Sequence, residues 1–423
     1  MNLMIIRAAA LTTSRGSKAL AGRDMDALEV IPDGALRIEE GTITAVGTTA
    51  DVMASGPNDG FTIIDAAGKA VLPGFVDSHT HFIFGGHRAD EFAWRLKGLS
   101  YMEIMAQGGG IASTVAATRQ TDLESLVEHG RRRLNAMLGF GVTTVEGKSG
   151  YGLDRDTEIR QLEAMAILNR EHPLEIVPTY LGAHAIPGEY EERGDAYLDD
   201  IMETVLPEVA TRGLAEFCDV FCEDHVFSVA QSRRLLSRAK SLGFKLTLHA
   251  DEIVALGGAE LAAELEAVSA DHLLQASDAG IQGLADAGVV ATLLPITAFG
   301  LREPYARGRF MIDQGCAVAL ATDFNPGSCF SNSIPLLMAL ATLYMGLSPE
   351  EALTAITLNG AAAIDRADRV GSLEVGKQGD AVILEYPSHR FIPYHLGVNI
   401  IEKVVKQGRL VFDKAQGGRI EGA

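Results

Sequence analysis

The middle of the chain alternates between short apolar runs and longer segments with helical periodicity. The apolar runs are Gly74–His79, Val142–Glu146, Glu175–Leu181, Glu216–Cys222, Lys245–His249, Ala267–Asp271, Val289–Leu294 and Val318–Asp323. Helical patterns lie between them, such as Leu123–Leu138, Thr157–Arg170, Val229–Leu242 and Ala306–Gln314. Eight strand–helix units over roughly 300 residues predict an α/β fold, a TIM-like (β/α)8 barrel. A doubly wound open sheet is the alternative, but no GxGxxG motif follows the first strand to favour it.

The two ends of the chain have a different pattern, in which strand-like pieces are separated by turns. The pieces are Leu3–Ile6, Ala35–Glu39, Thr42–Val46 and Thr62–Asp65 at one end, and Ala381–Glu385 and Val404–Phe412 at the other. We predict that both ends together form one small β-sandwich domain. The predicted boundaries are 1–71 and 375–423 for the two parts of the sandwich and 72–374 for the barrel.

Composition and charge narrow the class of protein. The chain has 423 residues, 47% of them hydrophobic, and a formal net charge of -20. Such a surface repels nucleic acid and anionic membranes, so we expect neither as a partner. The N-terminus lacks the charge order of a signal peptide, and the apolar stretches are too short to cross a bilayer. With four scattered cysteines and no CxxC pair, these features predict a soluble cytoplasmic protein.

Chemistry-bearing side chains stand at the ends of four predicted barrel strands. His79 and His81 end the first strand, and residues two apart on a strand project to the same side. His249 ends the fifth strand, Asp271 and His272 the sixth, and Asp323 the eighth. Barrel enzymes build their sites at these strand ends. Imidazoles with a carboxylate suit Zn²⁺ or Fe²⁺, which lowers the pKa of a bound water to near 7.

The segment Leu72–His81 resembles the first-strand signature of the amidohydrolase superfamily. That resemblance implies a barrel with a β-sandwich made from both termini, and His79, His81, His249 and Asp323 match the superfamily's metal-ligand positions. Many members hold two metals bridged by a carboxylated lysine at the end of strand four. This sequence has Phe221-Cys222-Glu223 there, so we expect one divalent metal per chain, Zn or Fe. Lys148, which follows strand two, is expected to be a hydrogen-bonded or salt-bridged loop residue.

Finer motifs resemble the imidazolonepropionase family, in the single-metal branch of that superfamily. They are residues 84–88, 106–111, 148–153, 182–187, 249–252, 321–328 and 392–395. The resemblance implies hydrolysis of the cyclic amide of 4-imidazolone-5-propanoate to N-formimidoyl-L-glutamate in histidine degradation. It also implies a homodimer, by analogy alone.

The implied substrate is an anion, so a strongly acidic chain needs a local cation to bind it. Arg88 lies just past strand one, and its guanidinium can hold a carboxylate through two parallel hydrogen bonds. The resemblance adds Tyr151 and His184 as substrate contacts. The turn at Asn325, Gly327 and Ser328 could offer donors to a carboxylate.

A division of catalytic roles follows from the same resemblance. Asp323 would accept the proton of the attacking water, and His184 or His272 would stabilise the oxyanion. Glu252, three residues past His249, would contact the substrate and relay a proton to the departing ring nitrogen.

Two rival functions share parts of this pattern. A single-metal aminohydrolase acting on a purine or pyrimidine would use the same metal set but would not need Arg88. A catalytically inactive scaffold would be expected to lose metal ligands, and all four are present. The glycine run 108–110 is not a phosphate-binding loop, because no Lys-Ser/Thr pair follows it; we expect a flexible or ligand-covering loop.

Overall fold

The computed structural model of the chain describes residues 2–99, 103 and 109–419. The motif 106–111 and the glycine run 108–110 therefore lie partly outside the described residues, as does the end of the predicted segment 375–423. The strands are β1 (Leu3–Ala8), β2 (Ala10–Thr13), β3 (Glu29–Ile31), β4 (Gly34–Glu39), β5 (Thr42–Thr48), β6 (Thr62–Asp65), β7 (Ala70–Pro73), β8 (Phe75–Asp77), β9 (Val142–Lys148), β10 (Glu175–Ala183), β11 (Phe217–Cys222), β12 (Lys245–Ala250), β13 (Ser269–His272), β14 (Val290–Leu293), β15 (Val318–Leu320), β16 (Ala381–Leu384), β17 (Ile401–Lys406), β18 (Arg409–Asp413) and β19 (Gly418–Arg419).

Helices follow most barrel strands. They are α1 (Thr49–Ala54), α2 (Ala89–Leu96), α3 (Ile111–Gln120), α4 (Leu123–Gly139), α5 (Arg155–Glu171), α6 (Gly194–Asp200), α7 (Leu206–Arg212), α8 (Val229–Ser241), α9 (Gly258–Leu265), α10 (Asp278–Ala287), α11 (Pro295–Leu301), α12 (Gly308–Asp313), α13 (Ile334–Tyr344), α14 (Pro349–Ile356), α15 (Leu358–Ala363) and α16 (Phe391–Tyr394). None of the helices in the described residues has the length and apolar character needed to cross a membrane.

Strands β8 to β15 form one parallel sheet in chain order, and this sheet closes into a barrel. Closure joins the segments that follow β8 and β15: Asp323 N–H donates to His79 O at 3.0 Å, and His81 N–H donates to Phe324 O at 2.8 Å. The side chain of Asp77 accepts two more bonds across the seam, from the N–H and hydroxyl of Thr322. The predicted (β/α)8 barrel is confirmed, and the open-sheet alternative is wrong.

Helix α8 illustrates how local sequence builds the barrel's outer layer. It begins after Ser228, whose side chain accepts from Gln231 N–H while the Gln231 side chain accepts from Ser228 N–H. Such a capping box satisfies two backbone donors that the first helical turn leaves unpaired. The apolar positions Leu235, Leu236 and Ala239 then fall on one face and are buried in the main core.

The two ends of the chain form two further sheets, ordered β5-β4-β1-β6 and β19-β18-β17-β16-β7-β2-β3. Side chains from both sheets share one apolar core, among them Ile5, Leu36, Ile383 and Val405. The predicted contribution of both termini is therefore confirmed. One strand prediction was wrong, because Val404–Phe412 is a hairpin of β17 and β18 rather than a single strand. The chain reverses at Gln407 and Gly408, which both have positive φ, as the tightest hairpin turns require.

Candidate metal centre and active-site cavity

Four imidazoles and one carboxylate converge where the barrel strands end. His79 Nε2 and His81 Nε2 lie 3.6 and 3.5 Å from the same oxygen, Asp323 Oδ1. The ring centroid of His249 is 4.7 Å from that of His79, and His272 is 5.1 Å from His249. All five side chains are almost fully buried. Sequence reasoning therefore brought together residues that the fold places in contact.

Buried aspartates on two other barrel strands fix the orientation of two of these histidines. His79 Nδ1 lies 2.6 Å from Asp271 Oδ2, and His249 Nδ1 lies 3.0 Å from Asp219 Oδ2. The ionised carboxylate can only accept, so each Nδ1 carries the proton and each Nε2 is left as a lone-pair donor. Carboxylates oriented in this way behind histidines are typical of metal centres.

Asp323 is held in a similar way from its far side. Its Oδ2 accepts from the Thr297 hydroxyl at 2.7 Å, which leaves Oδ1 facing the two histidines. The residue has φ of 52°, an uncommon conformation for a non-glycine residue, as does His272 with φ of 73°. Such backbone strain concentrates at functional sites. Burial raises the pKa of the Asp323 carboxyl to about 6.

The donor set fits a divalent metal ion. His79 Nε2 and His249 Nε2 are buried and have no hydrogen-bond partner within residues 2–99 and 109–419. Unpaired buried polar atoms are costly unless something binds them. Donor atoms of His79, His81 and Asp323 lie within 4.8 Å of one another. The same spacing holds for two other groups, His79 with His249 and His272, and His81 with His184 and His249.

A cavity of about 350 Å³ opens directly above this cluster. Its wall includes every residue predicted for the site except His79, which lies beneath. The predicted residues in the wall are His81, Arg88, Tyr151, His184, His249, Glu252, His272, Asp323, Asn325, Gly327 and Ser328. A volume of this size suits a small ligand with one ring and a short arm.

Arg88 is positioned by its neighbours on the cavity wall. Its Nε donates to Glu91 Oε2 at 2.8 Å, which fixes the plane of the guanidinium. Nη1 lies against Gly327, where a Cβ atom would come within 2.3 Å of it. Within the described part of the chain neither Nη1 nor Nη2 has an acceptor, so both can donate into the cavity.

The turn that carries Tyr151 is organised by a buried carboxylate. Glu158 accepts from the N–H groups of Gly150, Gly152 and Leu153. His184 lies on the same side of the cavity: its Nδ1 donates to Gly150 O at 2.9 Å, its ring centroid is 5.3 Å from that of Tyr151, and its ring stacks on His81 at 5.0 Å. Burial lowers the pKa of His184 to about 3, so this imidazole is neutral, and its Nε2 carries a lone pair and no proton.

Glu252 and His272 form the third side of the cavity. Glu252 Oε1 is 3.6 Å from His272 Nδ1. Burial, with the nearby charge of Asp323, raises the pKa of Glu252 to about 8, whereas burial lowers the pKa of His272 well below its usual value. At neutral pH the pair therefore consists of a protonated carboxyl and a neutral imidazole. Perturbed groups of this kind in a cleft are typical of proton-transfer sites.

The turn after Asp323 is built differently from the sequence interpretation. The backbone N–H groups of Gly327 and Ser328 both donate to Asn325 Oδ1 at 2.8 Å, so they are not aimed at a ligand. Asn325 Nδ2 donates to Asp323 O and to Ser328 Oγ. The side chain of Asn325 thus organises the turn, and Cys329 behind it donates from Sγ to Thr322 O. The Ser328 hydroxyl also bonds within the turn, since it donates to Asn325 Oδ1 at 3.2 Å. Neither the backbone donors nor this hydroxyl is therefore aimed at a ligand.

Sequence reasoning missed several residues of the site. The cavity wall also contains Glu91, Arg95, Leu99, Ile111, Phe221 and Leu301. Asp219 was missed as well, because a mid-strand aspartate in an apolar run has no local signal of its partner on another strand. The i,i+3 spacing of Arg88 and Glu91 on the turn into α2 was a usable signal for that pair.

Comparison with known proteins places this site in a family. The amidohydrolase family model matches residues 70–411. An imidazolonepropionase of Clostridium tetani is 57% identical over 414 residues, covering 98% of this chain and 99% of that protein. One from Bacteroides thetaiotaomicron is 59% identical over 409 residues, covering 96% and 98%.

A solved structure supports the fold at much lower identity. An adenosine deaminase from Xanthomonas campestris with bound zinc superposes with a TM-score of 0.71 at 20% identity, covering 100% of this chain and 94% of that one. At 20% identity, this similarity shows only that the two proteins share a fold. The matched family model and the near full-length relatives together show that this chain belongs to the amidohydrolase family and, within it, to the imidazolonepropionases.

Proposed function

We propose that this chain hydrolyses the cyclic amide bond of 4-imidazolone-5-propanoate to give N-formimidoyl-L-glutamate, a step of histidine degradation. The observation that carries the proposal is Arg88, which lines the same cavity as the His/Asp cluster and whose Nη1 and Nη2 have no acceptor among the described residues, while Nε is bonded to Glu91. A ring of this size that carries a carboxylate could contact the Arg88 guanidinium and the His/Asp cluster at the same time. The shared name of the relatives supports this substrate.

His79, His81, His249 and Asp323 would hold one metal, Zn or Fe. Bound there, the metal would supply a water of lowered pKa as nucleophile and an electrophile for the carbonyl. No lysine ends β11, so a lysine-derived bridge between two metals lacks its usual residue. The proposal assigns His272, which lies beside Glu252, to the substrate rather than to the metal.

The chain's own residues would bind and orient the substrate. Arg88 would take the propionate arm through Nη1 and Nη2, since Glu91 occupies Nε. Tyr151 and His184 would hold the ring from the wall opposite Glu252. Ser328 would contribute its hydroxyl near the arm by exchanging its bond to Asn325 Oδ1 for one to the substrate carboxylate. Orientation of this kind supplies much of the rate enhancement of a hydrolase.

Proton movements follow from which groups carry protons at neutral pH. Asp323 would accept a proton from the attacking water on its carboxylate, which the Thr297 hydroxyl holds from the far side. Glu252, with its raised pKa, would donate to the departing ring nitrogen. The neutral His272 would donate a hydrogen bond to the developing oxyanion. His184 would not, because its only proton, on Nδ1, is donated to Gly150 O and its Nε2 can only accept.

A substrate comparison tests the proposal. The purified protein is assayed with 4-imidazolone-5-propanoate, cytosine and guanine under identical conditions. We expect ring opening of the first and no ammonia from the other two. Ammonia release from cytosine or guanine, without hydrolysis of the imidazolone, would replace the proposal with the deaminase alternative.

A further inference from the structure

A layer of buried charge lies directly beneath the histidines. At its centre Lys148 Nζ is 2.8 Å from Glu146 Oε1, 2.8 Å from Asp219 Oδ2 and 3.5 Å from Asp271 Oδ2. None of these four side chains is more than 3% exposed. Burying an ammonium group with three carboxyl groups is expensive, and buried ion pairs seldom stabilise a fold by themselves. The arrangement therefore calls for a reason other than stability.

The barrel explains why these residues meet. Lys148, Asp219 and Asp271 lie on β9, β11 and β13, which are strands two, four and six of the barrel. Alternate strands of such a barrel contribute side chains to the same interior layer, which is usually filled by branched apolar residues. Here that layer is ionic, and it supports the metal centre from below.

The two aspartates connect this layer to the histidines above. Asp271 Oδ2 lies between Lys148 Nζ and His79 Nδ1, and the Asp219 carboxylate lies between Lys148 Nζ and His249 Nδ1. A single ammonium group thus contacts the carboxylates behind two histidines on opposite sides of the barrel. We propose that Lys148 is a positioning residue of the metal centre, which holds Asp219 and Asp271 so that they turn Nε2 of His249 and His79 towards the metal.

This role excludes Lys148 as a bridging metal ligand. Carboxylation would replace its ammonium by an anion among three carboxylates, with no cation left to balance them. The lysine that other superfamily members use as a ligand on strand four is absent here, and the lysine on strand two acts one layer deeper. The inference rests on the proposed metal site, because it concerns how that site is held.

Two effects of removing the Lys148 charge oppose each other, and this makes the sign of the result informative. A nearby cation repels a divalent metal, so loss of charge alone would tighten metal binding. Loss of positioning would weaken it, because partners behind metal-bound histidines are worth roughly 10–100-fold in affinity. We expect the second effect to dominate.

The test measures Zn²⁺ affinity of the metal-free full chain by competition with a chromophoric chelator. Lys148→Met should bind Zn²⁺ roughly 10–100-fold more weakly than wild type, and its Co²⁺ form should have an altered d–d absorption spectrum. In the double variant Lys148→Met/Glu146→Gln one carboxylate is neutralised as well, which protects the fold. Glu146 contacts Lys148 and the backbone of Thr80, and hydrogen-bonds no histidine of the described residues. The double variant should show the same loss of affinity.

Lys377→Met is the matched control. Lys377 is 6% exposed and donates to Gly16 O, Ala367 O and Ser372 Oγ, away from the site. It should lower the melting temperature without changing Zn²⁺ affinity. Unchanged or tighter Zn²⁺ binding by both Lys148 variants would overturn the inference, as would loss of folding in both, since Lys148 would then serve the barrel alone. Failure of the wild type to bind Zn²⁺ would instead refute the proposed function.

Discussion

Replacing Arg88 by methionine tests the substrate assignment at the residue that carries it. Methionine keeps an unbranched side chain of similar reach and removes the guanidinium. Arg88 lies on the cavity wall, and its ion-pair partner in the described residues is Glu91, three positions along the chain, so the variant should fold and bind metal as wild type does. The substrate's carboxylate would lose its cation.

The contacts of Arg88 allow the expected loss in kcat/KM to be estimated. A hydrogen bond to a charged group is worth about 1.5–3 kcal/mol, which corresponds to tenfold to over a hundredfold in kcat/KM. The variant should fall towards the upper end, because Glu91 keeps its negative charge. Glu91 is 7% exposed, and within residues 2–99 and 109–419 its other side-chain hydrogen-bond partner is the hydroxyl of Ser113 at 3.2 Å. An unbalanced carboxylate would then face the anionic arm, so Arg88→Met/Glu91→Gln should recover part of the loss.

The assay compares kcat/KM for 4-imidazolone-5-propanoate with that for its uncharged carboxamide. Wild type should prefer the carboxylate, and Arg88→Met should lose that preference. If Arg88 stabilises the bound substrate and the transition state equally, the change appears in KM. If its contact with the propionate arm also orients the ring for attack, kcat falls too. Equal discrimination by wild type and variant would refute the assignment of Arg88 and remove the main support for this substrate.

Three further perturbations have defined outcomes. Gly327→Ala would place a Cβ 2.3 Å from Arg88 Nη1 and displace the guanidinium, so KM should rise as in Arg88→Met while the melting temperature stays unchanged. Gly188→Ala is the control, because a Cβ there has nothing within 4 Å. A normal KM in Gly327→Ala would count against Arg88 as the residue that binds the substrate carboxylate. Glu252→Gln should keep its metal and lose roughly 10²–10⁴-fold in turnover. Wild-type activity should fall as pH rises through about 8, where Glu252 loses its proton. If the variant shows the same fall, Glu252 is not the proton donor. Burial lowers the pKa of His172 to about 3, and its Nδ1 accepts from Leu174 N–H. The contribution of His172 to the free energy of unfolding is therefore complete above about pH 6.5 and is lost as pH falls towards 3. The melting temperatures of wild type and His172→Gln should converge between these pH values, and a constant difference would contradict the lowered pKa.

Periodicity predicted the barrel well because each strand is buried on both faces and is bounded by polar loops. It was weaker at the closing seam, where β8 ends at Asp77 and β15 at Leu320, before the histidines and Asp323. There the backbone pairs through isolated bonds rather than a regular ladder. The terminal sheets were only partly predicted, because β2, β3 and β7 are short and take their partners from distant parts of the chain.

The rim residues could be predicted because their spacing or their place after a strand is visible locally. The layer below them could not be predicted, since Lys148, Asp219 and Asp271 come together only when β9, β11 and β13 face one interior. The expectation that Lys148 is salt-bridged agrees with its contacts, but its place inside the barrel was not foreseen. The homodimer, the cytoplasmic location and the domain boundaries stay predictions.

A metal titration with activity tests the central claim most directly. The protein is stripped with a chelator, and Zn²⁺ or Fe²⁺ is added back in fractions of an equivalent while hydrolysis of 4-imidazolone-5-propanoate is followed. We expect no activity without metal and a linear rise that saturates at about one metal per chain. Saturation only at two metals per chain, or full activity in the stripped protein, would contradict a single-metal centre at His79, His81, His249 and Asp323.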